Sequence, residues 1–147
     1  MAEKTTNFTA EEREAMKERA REAKLEAKRQ KGEDLRAADE AEVVDKISKM
    51  APADRAIAEK IHELVKTHAP SLQPKTWYGM QAYCNAEGKT VVFFQDSGKF
   101  KTRYCTLGFQ DAAQLDEGSM WPTSYAVNEI TPAIEKQITE LIRRAVS

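Results

Sequence analysis

Apolar positions are spread unevenly along the chain. Before Val43 the larger apolar side chains stand isolated among charged ones, and after it they recur with clear periods. Within the first stretch, Thr9-Ala10-Glu11-Glu12 has the form of a capping box, in which a hydroxyl and a carboxylate three residues on satisfy backbone donors at a helix start. The pattern predicts a helix over residues 9–31, with Glu11, Glu12 and Glu14 early, Lys28, Arg29 and Lys31 late, and Gly32 as a left-handed stop. Met16 and Leu25 are its only larger apolar residues, and Ala15, Met16, Ala20, Ala23 and Ala27 make a face too thin to anchor on a core. Opposite charges at i,i+3, such as Glu14 with Lys17 and Glu18 with Arg21, add only about 0.2–0.5 kcal/mol each. The expectation is a solvated helix.

Beyond a polar hinge at Gly32-Glu33-Asp34, Asp39 is placed to cap a helix carrying Val43, Val44, Ile47 and Met50, which Pro52 ends. Another helix starts near Asp54, carries Ile57, Ile61, Leu64, Val65 and His68 on one stripe, and stops before Pro70. From Lys75 onward the period shortens and the side chains become aromatic and β-branched, as in Thr90-Val91-Val92-Phe93-Phe94. With turns at Glu87-Gly88 and Ser97-Gly98, the simplest arrangement is an antiparallel meander of residues 83–85, 90–95 and 103–109. Residues 111–117 read as a short helix stopped by Gly118, and 121–127 as an edge strand or extended loop, a setting that suits Pro122. Thr131-Pro132 then opens a last helix with the stripe Ile134, Ile138, Leu141, Ile142 and Ala145. The expected organisation is a charged helical leader over residues 1–36 and one α+β domain over 37–147. That domain is a small antiparallel sheet packed by helices, preceded by a charged, solvent-exposed N-terminal helix.

Charge narrows the functional classes. The 23 basic and 24 acidic residues give a net charge of -1, so no global field favours nucleic acid or an anionic membrane, and neither is an expected partner. The N-terminal residues Met1 to Thr6 run directly into charge, and no apolar stretch approaches the ~20 residues a membrane span requires, so a cytoplasmic protein is expected. Cys84 and Cys105 fall on the first and third strands of the meander. Two strand spacings exceed the roughly 7 Å that a disulfide tolerates between Cα atoms, which leaves two reduced thiols.

Catalytic constellations are scarce. The chain has no glycine-rich phosphate loop, Cys-x-x-Cys, His-Glu-x-x-His or Gly-x-Ser-x-Gly elbow, and so reads as a binding protein rather than an enzyme. His68 lies on an apolar stripe as a packed or capping imidazole, and His62 falls on the opposite, wet side. Glu59 and His62 have the i,i+3 spacing of a metal-ligating pair, but a di-iron site needs a second copy and there is none. Asp111, Asp116 and Glu117 are the candidate hard-oxygen ligands for a metal, although helix capping by Asp111 and solvation of the other two account for them more simply. The most suggestive surface is aromatic and basic. Lys99, Lys101 and Arg103 alternate, so an extended backbone places them on one face, and Trp77, Tyr78 and Trp121, together with Tyr125, fall in loop-like or edge segments. Such a surface could hold a small anion. The competing reading has the cations protecting a strand end and the rings filling the core.

The run Pro70-Ser71-Leu72-Gln73-Pro74-Lys75-Thr76-Trp77-Tyr78-Gly79-Met80, with Lys99-Phe100-Lys101-Thr102 and Thr106-Leu107-Gly108-Phe109, resembles the YdhG-like family of small bacterial domains of unknown function. The likeness covers the chain from Asp39 onward, and Gln81 stands where family members commonly carry proline. It implies an α+β fold with a small helix-packed antiparallel sheet and, through at least one relative, a frataxin-like iron-chaperone role. Two expectations follow. The first is a non-enzymatic intracellular binding protein carrying iron as cargo by family analogy alone. The second is a module for a small anion or a protein partner that uses the aromatic and basic surface.

Overall fold

The computed structural model describes residues 9–147, without the side chains of residues 25, 26 and 28–30. The stretch Met1 to Thr6 therefore lies outside the described residues. By internal contacts the chain divides into Met1–Ala37 and Ala38–Ser147.

Helix α1 runs over Ala10–Ser48 as one element, and the Thr9 hydroxyl accepts from the Glu12 amide at 3.1 Å, the cap expected there. The expected stop at Gly32, the hinge after it and a new start at Asp39 do not occur. Glycine inside a helix costs only about 1 kcal/mol relative to alanine, and Gly32 does not adopt the left-handed backbone that a stop requires. Helix α2 covers Pro52–His68, with Pro52 in its first turn, where the missing N–H costs no hydrogen bond.

Five strands follow: β1 (Gln73–Trp77), β2 (Met80–Cys84), β3 (Thr90–Gln95), β4 (Cys105–Phe109) and β5 (Ser124–Val127). They form one antiparallel sheet in the order β1-β2-β3-β4-β5. The fold is α+β, as expected, and β3 has the bounds expected of it. β1 is an addition to the expected meander. Its Pro74 and the wide spacing of its apolar residues hide a strand, but proline is compatible with this edge position. Cys84 and Cys105 lie on β2 and β4 with β3 between them, and both are free and buried.

Between β3 and β4 the chain makes a single helical turn, α3 (Ser97–Phe100), capped by Asp96 and ended by Lys101 in the left-handed region at φ 56°. The expected extended run through Lys99, Lys101 and Arg103 is thus replaced by a turn, and alternation no longer puts the three cations on one face. Residues 111–117 are irregular rather than helical. Their backbone is engaged by the end of helix α4 (Pro132–Ala145), with the Gln114 amide donating to the Ala145 carbonyl at 2.9 Å and Arg144 donating to the Leu115 carbonyl at 3.3 Å. Thr131 caps α4 by accepting from the Ile134 amide at 3.3 Å.

One face of the sheet carries the core. Tyr83, Val92, Phe94, Leu107 and Val127 pack with Val43 and Ile47 of α1, Ile57, Ile61 and Leu64 of α2, and Ile138 and Ile142 of α4. On the other face Phe93 lies opposite Ala82 on β2 and Gly108 on β4. A Cβ at Gly108 would run into the Phe93 ring, so glycine is what lets that ring lie across the neighbouring strand, 5.3 Å from Trp77 between centroids. Among the described residues no helix is long and apolar enough to cross a membrane.

Candidate functional site

The β1–β2 connection has two residues, because Trp77 pairs with Met80, and both central residues, Tyr78 and Gly79, have positive φ, at 48° and 76°. That is the signature of a type I′ hairpin, whose twist matches the strands and whose first position favours Asn, Asp or Gly over a bulky ring. Tyr78 is nonetheless there, 81% exposed, touching Trp77 edge-on at 4.9 Å between centroids. Gly79 brings its carbonyl to Lys99, whose Nζ donates to it at 3.0 Å, and any Cβ at this glycine would collide with that ammonium.

The turn that carries Lys99 is anchored by two buried acids. Asp96 accepts from the Lys99 amide at 3.2 Å. Asp54, in the first turn of α2, accepts from the Ser97 hydroxyl at 2.9 and 3.0 Å, from the Gly98 amide at 2.9 Å and from the Cys105 thiol at 3.2 Å. Burial works to raise the Asp54 pKa, but the donors from Gly98, Cys105 and Ser97 outweigh it and hold the carboxyl below the usual aspartate value. Burial, with Asp54 beside it, pushes the Cys105 thiol up to about 11, so this sulfur stays protonated as a donor and is no nucleophile.

Above this support lies a cavity of about 430 Å³ lined by Lys46, Lys49, Gly79, Asp96, Gly98 and Lys99, with Met50 and Ala51. Lys46 and Lys49 come from the end of α1, where Lys49 also pairs with Asp45 at 2.9 Å. Ala51 is the residue ahead of α2, and no side chain caps that helix start. The lining thus offers three lysines against one carboxylate, beside a helix end that carries partial positive charge.

A second polar cluster is built into the core. The Gln81 amide nitrogen donates to the Ala58 carbonyl at 3.0 Å and to the Tyr83 hydroxyl at 2.8 Å. Tyr83 is then left to donate to His62 Nδ1 at 2.8 Å, and His62 Nε2 faces Glu40 at 3.4 Å. Lys66 also pairs with Glu40 and holds its carboxyl below the usual range. Burial lowers the His62 pKa more than Glu40 raises it, which suits a neutral ring accepting at Nδ1. His62 is therefore half-buried and not on a wet face. The cluster ties α1, α2 and β2 together.

The other expected residues are dispersed. Trp77, Tyr78 and Lys99 meet at the hairpin. Lys101 is exposed after α3, Arg103 sits 5.4 Å over the Tyr104 ring, and Trp121 packs partly buried against the core. Asp111, Asp116 and Glu117 are exposed, and Glu117 is 3.7 Å from Arg144. Glu59 turns to Arg55 at 3.9 Å, away from any pairing with His62. Among the described residues no three His, Cys, Asp or Glu side chains gather as a metal site. Lys46, Lys49, Asp54 and Asp96 were not singled out in the sequence. The i,i+3 lysines at a helix end were the one visible signal, and nothing local tied them to a turn fifty residues later.

No family model matches the chain, and no curated protein or solved structure compared with it matches.

Proposed function

We propose that this protein is a small-anion-binding module whose site is the lysine-lined cavity between the α1–α2 connection, the β1–β2 hairpin and the α3 turn. The observation that carries the reading is the convergence of Lys46, Lys49 and Lys99 on one cavity. The turn that carries Lys99 is anchored on Asp54 and Asp96, and the Lys99 Nζ donates to the Gly79 carbonyl. A phosphate or carboxylate would accept charge-assisted hydrogen bonds from the ammonium groups. No acid–base pair or activated nucleophile lines the cavity, so the reading is of binding and not of turnover.

Calorimetry with inorganic pyrophosphate at low ionic strength tests it. Wild type is expected to bind, with affinity falling as salt is raised. The triple variant Lys46→Gln, Lys49→Gln, Lys99→Gln should lose binding while keeping its unfolding midpoint within a few degrees. Absence of binding by wild type, or binding undiminished in the triple variant, overturns the reading.

A further inference from the structure

We infer that the free edge of β5, with the apolar groove between it and α4, is a docking site for an extended peptide that adds as a sixth strand and seats an apolar side chain in the groove. β5 is last in the sheet order, so one of its edges has no neighbouring strand. The register fixes which groups lie there. The Phe109 amide donates to the Thr123 carbonyl at 2.8 Å, and hydrogen-bonded pairs alternate along an antiparallel ladder, so Leu107 with Tyr125 and Cys105 with Val127 are bonded pairs. Ser124 and Ala126, at the positions between, therefore turn their N–H and C=O groups to the open edge.

The two edges of the sheet are not alike. β1 carries Pro74 and Lys75, devices that discourage a further strand, whereas Ser124-Tyr125-Ala126-Val127 contains neither a proline nor a charge. Beside that unguarded edge lies a cavity lined by Leu107, Tyr125, Val127, Ile134, Ile138 and Leu141, of which Tyr125, Ile134 and Leu141 are only partly buried. Ala126 lines it too, although alternation points its Cβ to the other face of the sheet, so the cavity reaches the backbone of the open edge. An incoming strand thus meets backbone partners at Ser124 and Ala126 and an apolar recess for a side chain, the two elements of recognition by strand addition. Glu129 is the one charged lining residue, so the peptide is neutral or basic.

A second copy of the chain fits the edge less well. Four residues of strand span only about 13 Å, too little to bury the roughly 1,200 Å² or more of a stable dimer. In a β5-to-β5 pair the inward side chains, Tyr125 and Val127, are already packed on their own core, so neither copy fills the recess of the other.

The test is fluorescence anisotropy with labelled, end-capped heptapeptides in which threonine alternates with valine, leucine, isoleucine or phenylalanine between terminal lysines. Wild type should bind at least one of them, and the fully N-methylated form of that peptide should not bind. Ala126→Pro removes an N–H that β4 does not use, so it should weaken binding roughly tenfold or more while the unfolding midpoint stays within a few degrees. Should Ala126→Pro fail to fold, the N-methylated peptide decides alone. No binding by any of the peptides, equal binding of the N-methylated form, or binding undiminished in Ala126→Pro overturns the inference. Sedimentation showing wild type as a dimer and Ala126→Pro as a monomer also overturns it, since a second copy then holds the edge.

Discussion

Asp54 is the residue on which the most separate elements depend. Its carboxylate reaches from the first turn of α2 to Ser97, Gly98 and Cys105, and removing it would leave buried donors without an acceptor, at about 1–3 kcal/mol. Its folded-state pKa is depressed, so the folded state binds this proton less readily than the unfolded chain. The sign follows: the stabilisation is fully present above the unfolded value of about 4 and is lost as pH falls through the folded value. Urea midpoints for wild type and Asp54→Asn should therefore differ by a constant amount between about pH 7 and 5 and converge below about pH 4. Glu40 is depressed as well, but it is present in both proteins and cancels. A gap that did not change with pH would show that folding leaves the Asp54 carboxyl unshifted and that its donors are arranged otherwise.

At the scale of elements, α2 and α4 are the helices whose stripes were clearest in the sequence. Ile61 and Ile138 sit at the centre of those stripes and are 0% and 3% exposed. Truncating each to alanine should cost about 2–5 kcal/mol, read as a lowered denaturant midpoint at unchanged slope. An unaltered midpoint for either would place that face outside the core. Elements with an even apolar period and a local cap were legible because both signals act within a few residues. Residues 111–117 were not, because their backbone pairs with the end of α4 some thirty positions on. β1 was missed for a related reason: its strand character comes from pairing with β2, not from its own composition of Gln73, Pro74 and Lys75.

Over the whole molecule, Met1–Ala37 and Ala38–Ser147 differ in kind. None of residues 9–37 for which burial is described is buried, whereas the second unit contains the whole core cluster. Removing residues 1–37 should leave the thermal midpoint of the remainder within a few degrees of the full chain and its unfolding cooperative. A large drop would show that the first unit contributes burial its sequence does not advertise. Any helicity it keeps alone should be marginal, since isolated helices depend on weak i,i+4 pairs and on length.

What the sequence determined by itself is what short-range physics controls. The Thr9 and Thr131 caps, the apolar stripes of α2 and α4, the β-branched run of β3 and the separation of two free thiols could all be read from neighbours along the chain. The α+β class followed from their order. Tertiary structure alone decided which face His62 presents and where Lys46, Lys49 and Lys99 meet. Those outcomes depend on groups brought together across the fold, where a histidine's hydration is outweighed by contacts no local pattern contains. The same reason hid the support of the site. Asp54 reads as an ordinary first-turn acid of a helix, and only the packing of α2 against the α3 turn makes it the acceptor that holds Lys99 beside Gly79.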